Sequence, residues 1–207
     1  MSDRPTHVSW AEYYRRTGGR PPRDTVLAAL DAFDGEGAAP PEGRLAVDLG
    51  CGAGRDAVEM LRRGWRVLGI DAEADAIARL LAIEGMPADL RARLSGAVAR
   101  FEDAAWPPCH LVSSSFALPL CPPDRFDALW AHIHASLLPG GRFAGQLYGD
   151  RDTWAGRPGM TFHTGAQVDA RLAGWNVEMR REVEEDSTTP RGEAKHWHVF
   201  HLVLRKA

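Results

Sequence analysis

The chain is sparing with cysteine, shows no excess of basic residues and carries no long apolar run. Its 3 cysteines, Cys51, Cys109 and Cys121, are odd in number and lack a Cys-x-x-Cys spacing, which argues against a disulfide framework and against a zinc site. A formal net charge of -3 leaves no electrostatic footprint for nucleic acid, so a small molecule is the expected partner. No stretch approaches the ~20 apolar residues needed to span a bilayer, and no charged N-terminal segment leads into an apolar core. No membrane partner and a cytoplasmic location are therefore expected. At 207 residues, 44% hydrophobic and 26% charged, the chain suits one well-cored α/β domain, as a monomer or homodimer.

What is present is concentrated in residues 45–71. The run Leu45-Ala46-Val47-Asp48-Leu49 leads into Gly50-Cys51-Gly52-Ala53-Gly54, a helical stretch through Met60 and Leu61, and a second apolar run ending on Asp71. An apolar run bounded by turn signals reads as a buried parallel strand, and alternate glycines lay the backbone of a tight strand-to-helix turn bare to a ligand. The stretch is a nucleotide-binding βαβ unit. A dinucleotide fingerprint needs Gly-x-Gly-x-x-Gly, with pyrophosphate on the helix N-terminus. Here Arg55 takes the third glycine's place, and Asp48, two residues before Gly50, suits a ligand ammonium better than a phosphate. A cationic ligand is favoured.

Elsewhere, Thr6 or Ser9 can cap a short helix over 8–16 that groups Trp10, Tyr13 and Tyr14, and Asp24 is expected to cap a helix over 25–33. Residues 72–81 and 88–94 read as helices, 97–103 as a third strand, 110–116 as a fourth and 142–149 as a fifth. The amphipathic helix 122–138 before that fifth strand is ended by Pro139-Gly140-Gly141. Residues 149–163 have the irregular, polar and aromatic character of a functional loop. Thr164-x-x-Gln167 is a capping box opening a helix over 165–172, and a polar connection joins two last strands at 175–184 and 196–206. His132 and His134 fall on different helical faces, while His196 and His198 share a strand face without a matching ligand spacing, so no metal site is expected.

The acidic-x-Gly-x-Gly-x-Gly pattern from Asp48 to Gly54 resembles the first motif of the class I S-adenosylmethionine-dependent methyltransferases. The passage of helix, Leu138-Pro139-Gly140-Gly141 and strand is also typical of them. More narrowly, Phe162-His163-x-Gly165, a helix, Gly174-Trp175 and a polar hairpin closing on Arg205-Lys206 look like the bacterial tellurite-resistance methyltransferases and related small-molecule enzymes. The resemblance implies an α/β fold with a Rossmann-like seven-stranded sheet in the order 3-2-1-4-5-7-6, one strand antiparallel and helices on both faces. It implies one methyltransferase domain over 1–207, with an N-terminal helical lid at 1–43, a cofactor-binding core at 44–149 and an acceptor side at 150–207.

By the same resemblance the cofactor is S-adenosyl-L-methionine and the product S-adenosyl-L-homocysteine. Asp48, Gly50, Cys51, Gly52 and Gly54 take the amino acid end, and Asp71 with Ala72 the ribose. Asp103 accepts the adenine amine, with the amide of Ala104 on the ring; Glu102 is the alternative, since strand alternation turns only one of the two acids to the ligand. Ser114 and Ser115 lie beside the methionine moiety, and Tyr14 and Arg20 belong to the lid. His110 departs from the aspartate that usually opens the fourth strand. Cys109 follows Pro108 but precedes that strand, where a cytosine C5 methyltransferase needs its nucleophile after it, so Cys109 reads as structural. The expected function is methyl transfer to a small-molecule acceptor, with His163, Tyr148, His134 and Asp150 as candidates for a base if the acceptor needs one. A non-catalytic cofactor-binding sensor or partner subunit is the alternative, and a nicotinamide-dependent oxidoreductase a third reading.

Overall fold

A computed structural model describes residues 20–37, 43–189 and 191–207. The helix expected over 8–16, and Tyr14 with it, lies outside the described residues. Strands β1 (Leu45–Leu49), β2 (Arg66–Asp71), β3 (Leu94–Val98), β4 (Cys109–Ser114) and β5 (Leu137–Gly149) form the parallel part of one sheet. β6 (Phe162–His163) is a two-residue strand on β5, and β7 (Trp175–Thr188) and β8 (Ala194–Lys206) make the closing hairpin. The order is β3-β2-β1-β4-β5-β8-β7, with β8 antiparallel to both its neighbours. This is the expected topology, with the last two strands renumbered by the short β6.

Side-chain alternation sorts the central strands onto two cores. Val47, Leu49, Val112, Phe143 and Leu204 face one cluster, covered by Phe126, Trp130 and Ile133 of α5 (Pro123–Ser136) and Val168 of α6 (Gly165–Arg171). Ala46, Val67, Leu111, Ala144 and Val203 face the other, covered by α1 (Asp24–Gly35), α2 (Arg55–Arg62) and α3 (Ala74–Leu81); the four-residue α4 (Ala88–Arg91) precedes β3. The same parity carries Asp48, Asp71 and Ser113 to the α2 side at the C-terminal ends of their strands. That placement follows from the period of 2 alone.

Several boundaries differ from the sequence reading. β3 starts at Leu94 and ends at Val98, whose ladder partner is Asp71, the last residue of β2. The Ala99 amide makes the last contact with β2, on the Asp71 carbonyl at 2.9 Å, and the chain then curls into a turn closed by the Asp103 amide on the Arg100 carbonyl. Arg23, not Asp24, precedes α1, and the Asp24 carboxylate accepts instead from the Thr25 amide. The final hairpin is longer than expected, because cross-strand pairs such as His196 with Asp186 (2.8 Å) hold residues of low strand propensity in register. The Thr164–Gln167 capping box forms as read.

Arg142 ties the hairpin to the helical layer. It is 2% exposed, donates to Glu178 (2.6 and 2.8 Å) and Glu36 (2.6 and 3.2 Å), and lays its guanidinium 4.3 Å from the Phe33 ring centroid. The register shift between Val177 and Met179 in β7 brackets Glu178 and turns it to this contact. Replacing both Glu36 and Glu178 by Gln leaves a buried cation without a charged partner and should lower the unfolding free energy by roughly 3 kcal/mol. Urea denaturation measures it; a loss below about 0.5 kcal/mol would mean that the pairs behave as solvated surface contacts.

Candidate functional site

A cavity of about 310 Å³ opens at the C-terminal ends of β1, β2 and β4. Its floor is the turn between β1 and α2. Gly50 takes φ +70° and sits so close to Ala117 that a Cβ there would lie 2.3 Å from the alanine methyl; Gly54 takes φ +86° and would bring a Cβ 2.4 Å from Leu80. Both positions demand glycine on two grounds, conformation and space. The turn is closed by Gly50 and Cys51 amides donating to the Ile70 carbonyl at 2.8 and 3.2 Å.

Three buried carboxylates surround this turn. Asp71 accepts from the Gly52 amide (2.9 Å) and the Glu73 amide (3.0 Å), so one side chain fixes both the glycine turn and the exit of β2. Asp48 stands in register with Ser113 on β4 and accepts from its hydroxyl at 2.7 Å. Asp56, in the first turn of α2, accepts from the Arg23 amide (2.9 Å) and the Ser115 hydroxyl (2.5 Å). Burial, with the charges of Asp56 and Asp71 added to it, pushes the Asp48 carboxyl up to about 8 against the relief given by Ser113. A carboxylate so placed is suited to receive a cationic ligand group.

Of the expected site residues, Asp48, Gly50, Cys51, Gly52, Asp71, Ala72 and Ser115 line the cavity. Gly54 caps α2 behind it, and Ser114 is turned into the sheet, donating to the Leu49 carbonyl at 3.1 Å. Asp103 and Ala104 do not line it. Because β3 ends early, Asp103 lies in a turn and accepts from Arg125 of α5 at 2.6 Å, whereas Glu102 faces the cavity with only 4% of its side chain exposed, held by Arg100 Nε at 2.6 Å. Arg20 is exposed and outside the lining. Cys51, Cys109 and Cys121 are free and buried; burial pushes the Cys109 and Cys121 thiols up to about 12, away from nucleophilic use.

None of the four candidate bases lines the cavity. His134 lies on the far side of the sheet, edge-on to Trp175 at 4.7 Å. His163 is buried against Phe126, and burial together with Arg171 pushes it down to about 4. Asp150 follows β5 near His198 (3.6 Å). Tyr148 is one ring removed, 6.2 Å from Phe116, which does line the cavity. Asp56, Arg23 and Phe116 were not anticipated. An acid in the first helical turn after the glycines was the available signal for Asp56; for Phe116, which takes φ +59°, the sequence carries none. Among the described residues no cluster of His, Cys, Asp and Glu is arranged to hold a metal ion, and no helix is long and apolar enough to cross a membrane.

Residues 46–141 match a family of methyltransferase domains. Over that stretch, which holds the glycine turn and strands β1–β4, the chain is similar to methyltransferase domains. Its fold is shared by TehB from Haemophilus influenzae (TM-score 0.74, 15% identity, 94% of this chain covered), although the match spans only 66% of the TehB chain. Magnesium protoporphyrin IX methyltransferase from Synechocystis PCC 6803, solved with S-adenosylmethionine, aligns at TM-score 0.65 and 15% identity over 97% of this chain and 92% of that one. A Burkholderia thailandensis 1,6-didemethyltoxoflavin-N1-methyltransferase, solved with bound 1,6-didemethyltoxoflavin and S-adenosylhomocysteine, aligns at TM-score 0.61 and 19% identity over 100% of this chain and 93% of that one. No curated protein sequence matches the chain.

The Asp48 environment sets a test by linkage. A carboxyl whose folded value is raised from the ordinary 3.8 to about 8 holds its proton while the unfolded chain has lost it, so stability of the ligand-free protein falls as pH rises between those values. Asp48→Asn removes that dependence. Its thermal midpoint should exceed the parent's by several degrees at pH 8, at about 2–4 °C per kcal/mol for a chain this size, with the gain shrinking toward pH 5. A gain equal at both pH values would place the ionisation of Asp48 in the ordinary range.

Proposed function

We propose that the protein is an S-adenosylmethionine-dependent methyltransferase acting on a small-molecule acceptor. The observation that carries this reading is the convergence of Asp48, the Gly50–Gly52 turn and Asp71 on one cavity within a methyltransferase domain. Known relatives of the fold that hold S-adenosylmethionine or S-adenosylhomocysteine support it. The donor set fits such a cofactor. Asp48 takes the ammonium, with the glycine turn leaving room for the amino acid end. Asp71 keeps its two backbone contacts and offers its remaining lone pairs to the ribose hydroxyls. Glu102, rather than Asp103, faces the adenine amine. S-adenosylmethionine, when bound, supplies a methyl group on a positively charged sulfur.

The remaining residues position and enclose. Phe116 and Ala117 wall the cavity beyond β4, and Ser115 is kept in place by Asp56. Most of the acceleration in such a transfer comes from alignment and from exclusion of water, so an acceptor that is already anionic needs no protein base. The division into an N-terminal lid, a cofactor-binding core and an acceptor side, at 1–43, 44–149 and 150–207, belongs to this proposal.

Calorimetric titration tests it directly. S-adenosylmethionine is expected to bind and NAD not to, and Asp71→Ala should weaken binding at least tenfold while the far-UV spectrum is unchanged. Equal affinity of parent and variant would remove Asp71 from the site. Because the contact requires both the ionised form of Asp48 and the protonated ligand ammonium, affinity should rise with pH toward about 8 and fall again above it as the ammonium loses its proton, with proton release on binding at pH 7.

A further inference from the structure

Phe116 has two sides. One faces the cavity; beyond the other begins a continuous group of aromatic rings, with Tyr148 at 6.2 Å, Trp197 at 6.2 Å and His201 at 6.0 Å, and with Trp154 5.9 Å from Trp197. The strand period explains why they meet. Tyr148 lies four residues beyond Ala144 on β5, and Trp197 and His201 share the parity of Val203 on β8, so all three stand on the α1 side, the side of Asp48. Tyr148 is buried, while Phe116, Trp154 and Trp197 keep part of their rings accessible. Phe116 is fixed at its positive φ by its amide donating to Gln146 Oε1 at 2.9 Å, and Gln146 is fixed in turn by Thr25 of α1.

An aromatic group of this kind ordinarily suits a cationic ligand. Here a cation of the chain itself already occupies it. The Lys195 ammonium lies 4.1 Å from the Trp154 centroid, 4.3 Å from that of Trp197 and 5.4 Å from that of Tyr148, and its charge is met by Asp152; both side chains are fully buried. The Arg23 guanidinium stacks 4.3 Å from the Phe116 centroid and lines the cavity. The ring faces that these two cations cover are thereby taken and are not open to a cationic ligand. A ring drawn on by a cation at one face is a better partner for an electron-rich ring at its edge or its other face.

We propose that these rings form the acceptor subsite, with Phe116 as the wall shared with the cofactor cavity, and that the acceptor is a flat aromatic or heteroaromatic molecule that is neutral or anionic. The proposal rests on the cofactor reading above and narrows it to a substrate class. It gives residues 150–161 a part as well: Asp152 and Trp154 carry the loop after β5 onto Lys195 and Trp197 of β8, so the loop forms one side of the subsite.

The experiment uses the full chain. Binding of S-adenosylmethionine is measured first by calorimetry, and release of S-adenosylhomocysteine is then followed with 2-naphthol and 8-hydroxyquinoline against cyclohexanol, ethanolamine and tellurite. Release with the flat hydroxyl compounds at least tenfold faster than with the others is the expected result. Trp197→Leu should raise KM for 2-naphthol about tenfold with the affinity for S-adenosylmethionine unchanged, and Trp197→Phe should restore most of it; Trp154→Leu serves the same purpose should Trp197→Leu not fold. Tight cofactor binding with preference for an aliphatic, cationic or oxyanion acceptor, with no turnover of either flat compound, or with a KM indifferent to these substitutions would overturn the aromatic subsite alone. Failure of S-adenosylmethionine to bind would overturn the cofactor reading and the subsite with it.

Discussion

The site depends on keeping three carboxylates close together out of water. Asp48, Asp56 and Asp71 all line one cavity and are all nearly inaccessible. Burying an acid is tolerable only when hydrogen bonds replace its hydration, and each of the three has a different source: a cross-strand hydroxyl for Asp48, backbone amides for Asp71, and one of each for Asp56. The raised affinity of Asp48 for its proton is the residual strain of that arrangement. Under the proposed reading a ligand cation relieves it, so the electrostatic cost of the buried acids becomes part of the selectivity for what enters.

The same hydrogen bonds join the cavity to the rest of the molecule. The first turn of α2 holds the approach to α1 through two consecutive residues, Arg55 donating to the Pro21 carbonyl at 2.6 Å and Asp56 accepting from the Arg23 amide. Arg23 then lies over Phe116, and Thr25 over Gln146, which holds the Phe116 amide. A short chain of contacts thus runs from the glycine turn, through the start of α1, to the aromatic group after β5. A change at any of these places is felt at the wall between the cavity and the aromatic group, because Phe116 occupies a backbone conformation that its neighbours must enforce.

Sequence reasoning reached the parts of this arrangement that are local. The glycine turn with an acid on either side of it, the capping box at Thr164 and the alternation of helices and strands are each specified within a few residues, and each is present. It reached less where an element's end is set by its neighbour. Glu102 and Asp103 are adjacent acids, and the choice between them turned on where β3 stops. That is decided by the length of β2, since the ladder ends with Asp71, and a turn then presents Glu102 to the cavity and Asp103 to Arg125. The candidate bases show the same limit: His134 and His163 fall in plausible places along the chain, but packing against Trp175 and Phe126 takes them from the cavity.

By itself, then, the amino-acid sequence determined the succession of strands and helices and the acidic glycine turn, because strand period, glycine conformation and helix capping act over distances the chain spans locally. Only the tertiary structure decided which residues complete the site. Arg23 and Asp56 are 33 positions apart, Ser115 and Asp56 59 apart, and Gln146 and Thr25 121 apart. Such contacts exist because strand order and twist bring the C-terminal edges of non-consecutive strands together, and neither spacing nor composition records which side chains meet there.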